Sequence, residues 1–131
     1  MNILILLAVL MTLPALSFSG EKYVAKLDPD GVQRIEVSGG GYFFRPDHIV
    51  VKLNTPVELT VKKEPSIVPH NFVMDEPEAG IDFSVRLSTE PERIRFTPAR
   101  VGEYKFYCDR RLLFLKSHRV RGMEGTLEVV E

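Results

Sequence analysis

The chain has 131 residues, with 17 lysines and arginines against 18 aspartates and glutamates, three histidines, one cysteine and no tryptophan. A formal net charge of −1 gives no whole-chain electrostatic drive toward nucleic acid or an acidic membrane surface. The single cysteine excludes an internal disulfide, a four-cysteine zinc or iron–sulfur site, and a binuclear copper centre bridged by two thiolates.

Residues 1–19 carry no charged side chain and hold an unbroken apolar run over 3–10. They are expected to be a secretory signal peptide. Ser17 and Ser19 supply small-x-small spacing for cleavage before Gly20, and Ala15 with Ser17 offers an earlier cut. Thr12 and Pro14 interrupt a stretch already shorter than the roughly 20 residues that span a bilayer. An uncleaved anchor is the alternative. Cleavage implies a periplasmic or other extracytoplasmic protein, a single 112-residue domain over 20–131 that is large enough to bury one core. A lone cysteine kept in an oxidising compartment calls for an explanation, and metal ligation is one.

Residues 20–32 are expected to form a mobile lead-in. Beyond them, apolar and polar residues alternate with a period of two over 33–37, 49–53 and 57–61, with Gly39-Gly40-Gly41 and Asn54-Thr55-Pro56 as breaks. Further strand-like runs follow at 71–74, 81–87, 93–96, 103–107 and 125–130, separated by Pro- or Gly-containing turns. Seven or eight short strands with hardly a helical segment predict an all-β sandwich or barrel of two packed antiparallel sheets. The stretch 109–117, with Leu112, Leu113, Phe114 and Leu115, fits no strand and is left as a helical turn or an apolar loop.

Chemistry concentrates in four residues. Cys108 ends the strand over 103–107, His118 follows after nine residues, and Met123 comes four residues later, just before the last strand. One loop between adjacent strands can therefore aim a thiolate, an imidazole and a thioether at one point. His70 opens its own strand after Pro69 and would supply a second imidazole. Two imidazoles and a thiolate in a plane with a weak axial thioether is the donor set that selects copper in electron-transfer sites. Singly, each has a plainer explanation as a buried thiol, a core gap-filler or a surface histidine. His48 falls in the polar register of its strand and is expected at the surface, not as a ligand. Met74, Glu76 and Glu78 have no diagnostic spacing and are expected to belong to an acidic loop.

These segments resemble the cupredoxins, the small blue-copper proteins such as plastocyanin and azurin. The resemblance lies in Tyr42-Phe43-Phe44-Arg45-Pro46-Asp47-His48-Ile49, Pro69-His70-Asn71-Phe72, Gly102-Glu103-Tyr104-Lys105-Phe106-Tyr107-Cys108 and Gly122-Met123-Glu124-Gly125. It implies a Greek-key β-sandwich, one copper ion in a type 1 site, His70, Cys108 and His118 as equatorial ligands, and Met123 as the axial one. It also implies that Asn71 ties the two ligand loops together near the cysteine.

The nine-residue ligand loop is longer than in many small cupredoxins, at little thermodynamic cost, since each doubling of a flexible loop costs roughly 0.6 kcal/mol. It carries Arg110, Arg111, Lys116, Arg119 and Arg121 around Leu112, Leu113 and Phe114. One reading is a docking face beside His118 for an acidic redox partner such as a cytochrome or a copper oxidase or reductase. The other is a solvated loop whose long side chains cover a core edge. The leading expectation is a periplasmic one-electron carrier. The alternative is a periplasmic copper-binding or trafficking protein without a redox partner, and a metal-free interaction module is a third. An enzyme is not expected, because multicopper chemistry needs further histidines and only His48 remains.

Overall fold

In a computed structural model, which describes residues 21–111 and 113–131, the chain forms eleven strands. They are β1 (Tyr23–Val24), β2 (Lys26–Leu27), β3 (Gln33–Gly40), β4 (Phe43–Arg45), β5 (His48–Lys52) and β6 (Val57–Lys63). The remainder are β7 (Asn71–Glu76), β8 (Ile81–Arg86), β9 (Glu92–Phe96), β10 (Gly102–Tyr107) and β11 (Glu124–Val130), with one 3-10 turn over Pro77–Ala79. The predicted leader, 1–19, and Leu112 lie outside the described residues. No helix among the described residues is long and apolar enough to cross a membrane.

Two sheets face each other, ordered β1-β5-β11-β10-β7-β8 and β2-β3-β6-β9, with β4 also paired to β3. The sheets are mixed rather than antiparallel: β1 with β5, β5 with β11, and β3 with β6 run parallel. Alternation along a strand reports which face is buried but not the direction of its neighbour, so the parallel pairings were invisible in the pattern. The three extra strands also differ from expectation. Residues 20–32 were expected to be mobile, yet β1 and β2 lie within them, with Ala25 buried between them and its N–H donating to the Val50 carbonyl at 2.9 Å. Their side chains are mostly exposed, so backbone pairing alone places them and leaves no apolar period.

Val57, Leu59 and Val61 of β6 enter the core as the alternation requires. On the opposite face Glu58 is also covered, because Arg34 and Arg95 flank it across the ladders. Arg34 Nε and Arg95 Nη2 reach its carboxylate at 3.3 and 2.6 Å, and Arg95 foremost holds the Glu58 carboxyl below its ordinary value. Gln33 clamps the two sheets: its side-chain oxygen accepts from Lys52 N–H at 2.7 Å, and its amide donates to the carbonyls of Lys52 and Thr55.

Aromatic packing fixes the end of the sandwich that carries the chemistry. Phe72 stacks on Phe106 at 5.0 Å and on Phe83 at 5.9 Å, and meets Phe44 edge-on at 5.3 Å. Side chains two residues apart share a strand face. Phe72 and Phe106 therefore place His70 and Cys108 above one aromatic floor, which Phe44 completes. The turn joining β3 to β4 consists of Gly41 and Tyr42, with φ of 51° and 64°. Positive φ at both central residues is the primed hairpin geometry, which costs a non-glycine residue about 1–2 kcal/mol.

Candidate metal centre

Cys108 follows the end of β10 and His70 precedes β7; β7 and β10 are neighbours, with Tyr107 opposite Val73. The long loop from 109 to 117 returns to this point because its neck is closed, the His118 N–H donating to the Arg110 carbonyl at 2.7 Å. Extra length is thereby confined to an excursion beyond the neck. Met123 N–H donates to the His118 carbonyl at 2.9 Å, and Cys108 N–H to the Met123 carbonyl at 3.1 Å. The backbones of all three loop candidates are thus mutually bonded.

The side chains of His70, Cys108 and His118 converge. His70 Nδ1 and His118 Nδ1 are 3.2 Å apart, and Cys108 Sγ lies 4.0 Å from the first and 3.5 Å from the second. With metal–nitrogen bonds of about 2.0 Å and a metal–sulfur bond of about 2.3 Å, a trigonal plane puts the nitrogens roughly 3.5 Å apart and each roughly 3.7 Å from sulfur. An ion fits the triangle with shifts of a few tenths of an ångström, so these three residues form a group that can hold a metal. Met123 is fully buried, with its backbone bonded to those of Cys108 and His118.

The donors are poised chemically as well as geometrically. Burial, then the charges of His118 and Lys63, hold His70 down to about 4. Burial and then Arg121 keep His118 below its ordinary value. Both imidazoles are neutral at pH 7 and offer lone pairs. Burial pushes the Cys108 thiol up, offset in part by the Asn71 backbone N–H, which donates to Sγ at 3.4 Å. Metal binding must therefore release the thiol proton. Asn71 also ties the segment after His70 to the one after Cys108: its side-chain amide donates to Asp109 Oδ1 at 2.5 Å, and Asp109 N–H donates back to Asn71 Oδ1 at 2.9 Å.

His70 carries a pH dependence for the metal-free protein. Its folded value lies below the ordinary 6.5, so the unfolded chain binds more protons under pH 6.5, and stability present at pH 7 is lost as pH falls toward 4. A shift of this size corresponds to roughly 3 kcal/mol. Urea unfolding midpoints are expected to fall steeply from pH 7 to 4.5, and His70→Asn is expected to flatten that slope; a wild-type midpoint flat across the window overturns the buried neutral imidazole.

The other residues singled out in the sequence are placed as follows. His48 lies outside the triangle, its Nε2 2.9 Å from Glu128 Oε2. With Glu103 it forms a second, more exposed group, but Lys22 Nζ already pairs with Glu128 at 3.0 Å, and the arrangement is a surface ion-pair network. Met74 packs in the core and Glu78 pairs with Arg100 at 3.1 Å, so Met74, Glu76 and Glu78 do not form a common site. Among the described residues of 109–117 there is no helix or strand, and Leu113 and Phe114 sit in a turn. Leu113 and Phe114 are exposed, as are Arg110, Arg111 and Lys116. Arg119 is occupied, its guanidinium 4.0 Å from the Tyr107 ring centre and its Nε 2.9 Å from Glu124.

His118, beside which the docking face was expected, is itself buried, 1% exposed. Tyr42 covers it, the two rings meeting edge-on with centroids 5.0 Å apart, and the Arg121 guanidinium lies 5.0 Å from the Tyr42 ring centre. Tyr42 and Asp109 were not identified as site residues in the sequence. The only available signal was a large aromatic directly after three glycines, at a turn where glycine or asparagine is the usual choice.

A family model for the cupredoxin-like domain matches residues 3–122. Among solved structures, the metal-binding domain of the Cu(I)-exporting P-type ATPase CopA of Streptococcus pneumoniae is similar, with TM-score 0.65 and 25% identity over 85% of this chain and 97% of that one. A plastocyanin mutant of fern gives 0.51 and 27% over 73% and 100%. Auracyanin from Roseiflexus castenholzii gives 0.60 and 20% over 75% and 97%, a likeness of fold. No curated protein matches the chain in sequence. A two-sheet β-sandwich with a buried His-Cys-His triangle at one end, matched by the family model over most of its length, makes this chain a member of the cupredoxin-like family.

Proposed function

We propose that the chain is a mononuclear type 1 copper protein that carries one electron at a time between redox partners in the periplasm, after removal of 1–19. The observation that carries this reading is the triangle itself: two neutral imidazoles and one thiol, fully buried, in a chain whose remaining histidine is engaged elsewhere. His70, His118 and Cys108 would hold the ion through two imidazole nitrogens and the thiolate, with the Met123 thioether as a further donor. Copper bound there would supply a one-electron Cu(II)/Cu(I) couple. The protein's part is to keep one geometry for both oxidation states. The reciprocal Asn71–Asp109 bonds and the closed loop neck do this by fixing the ligand backbones, and the aromatic floor blocks collapse from below. A buried triangle with no further histidines at hand suits a carrier better than a catalyst. The partner we infer is a redox protein such as a cytochrome or a copper oxidase or reductase, docking on the basic, apolar-tipped loop that includes Arg110, Arg111, Leu113, Phe114 and Lys116. An uncleaved leader would instead tether the same domain to the membrane.

A second reading, copper binding or delivery without a redox partner, is favoured by the likeness to the metal-binding domain of a Cu(I)-exporting ATPase. Titration of the purified protein with Cu(II), followed by visible absorption and EPR through ascorbate reduction and air reoxidation, separates the two. An intense visible band that bleaches and returns supports the carrier. Binding without the band, together with rapid surrender of copper to an acceptor, supports delivery. Absence of binding overturns both.

A further inference from the structure

A histidine that serves as ligand through Nδ1 must carry its proton on Nε2, and a buried N–H without a partner is costly. His118 Nε2 is such an atom, buried with no hydrogen-bond partner. What lies against the ring is Tyr42, edge-on at 5.0 Å, which also meets His70 at 6.4 Å. Tyr42 comes from a distant part of the chain, on a two-residue turn whose left-handed backbone, φ 64°, opposes a bulky side chain. Backbone strain of this kind persists only where the surroundings hold it, and it gathers at functional sites. Here Tyr42 packs against the core, and the Arg121 guanidinium sits over its ring. Arg121 belongs to the segment just after His118, so the cover is built from both sides of the pocket.

We propose that Tyr42, seated by the β3–β4 turn and backed by Arg121, controls access to the His70–Cys108–His118 pocket, keeping solvent, small ligands and copper acceptors off it while leaving the half-buried Tyr42 ring as the surface an electron partner meets. The proposal deepens the copper reading: a closed cover suits outer-sphere electron exchange, and its opening is the step that ligand entry or copper release requires. The aromatic ring is the working part, because the Tyr42 hydroxyl makes no hydrogen bond among the described residues.

The test begins without metal, so that it stands even if the copper reading fails. Alkylation of Cys108 by iodoacetamide, uncharged and so indifferent to the basic loop, is timed in the purified metal-free protein for wild type, Tyr42→Phe and Tyr42→Gly. Tyr42→Phe is expected to react within about twofold of wild type, and Tyr42→Gly about tenfold faster or more. Glycine accepts the left-handed turn without strain, so Tyr42→Gly opens the cover without breaking the hairpin. Its thermal midpoint and the urea dependence of the alkylation rate separate local access from global unfolding. A tenfold acceleration with an unchanged midpoint and little urea dependence supports the cover. A wild-type alkylation rate in Tyr42→Gly, or an acceleration that tracks global unfolding, overturns it. With Cu(I) loaded, transfer to a bathocuproine chelator is expected to accelerate similarly in Tyr42→Gly and not in Tyr42→Phe; equal transfer rates in all three overturn the role in copper release.

Discussion

Cys108→Ser is expected to lose essentially all of the intense visible absorption of the copper-loaded protein, whereas His48→Ala keeps it. The band requires a polarisable thiolate bound to Cu(II), and the chain has one cysteine to provide it. A serine hydroxyl is a hard donor that stays protonated at neutral pH, so the triangle would keep two imidazoles and lose its charge-compensating anion. Folding is expected to survive, since a hydroxyl can accept the hydrogen bond that Sγ takes from the Asn71 backbone N–H. The cost of burying that hydroxyl is about 1–3 kcal/mol. His48 bonds to Glu128 on the outside of the sheet and has no path to the triangle. Absorption spectra of the three proteins, titrated with Cu(II) and checked for folding by circular dichroism, decide the matter. An unchanged band in Cys108→Ser would remove the thiolate from the site.

Much of the site could be read from the sequence because strands have a period of two. In His70-Asn71-Phe72 and Phe106-Tyr107-Cys108 each candidate ligand shares a face with a phenylalanine, and those phenylalanines stack on one another. Burial of the aromatic pair therefore brings the ligands together, and reading the pattern amounts to reading the packing. The eight strand-like runs all fall on strands, and alternation in runs such as 57–61 reports the face that is buried. What escaped is what side-chain pattern does not encode. The short β1 and β2 are placed by backbone hydrogen bonds with their side chains outside. The parallel partners of β5 and β6 depend on how the chain crosses between sheets. The cover over His118 also escaped, because Tyr42, whose ring meets it edge-on, is remote in sequence and sits on a left-handed turn. The loop neck between Arg110 and His118 is likewise a backbone bond, and it is what makes a nine-residue loop compatible with a tight ligand triangle.

Gly125→Ala is expected to be among the most damaging single-methyl additions in this protein. Gly125 lies directly across the β10–β11 ladder from Phe106. A Cβ built there would overlap the Phe106 ring edge and approach the Asp47 carbonyl oxygen at 2.6 Å. Neither neighbour has room to yield. Phe106 is fully buried and wedged between Phe72 and Phe44, at 5.0 and 5.5 Å. The Asp47 carbonyl accepts the Thr126 N–H at 2.8 Å, beside the parallel β5–β11 ladder. Overpacking of this kind costs about 3 kcal/mol or more, which for a domain of this size lowers the thermal midpoint on the order of 10 °C. Gly31→Ala is the control: its Cβ meets nothing within 4 Å at φ +82°, so only backbone strain of about 1–2 kcal/mol remains. The site should respond too, because a displaced Phe106 carries Cys108 with it, two residues along the same strand. Gly125→Ala is thus expected to weaken copper binding as well as stability, while Gly31→Ala, remote from the aromatic floor, leaves binding unchanged. A Gly125→Ala protein that melts within a few degrees of wild type would mean that the aromatic floor is not the rigid support on which the ligand triangle depends.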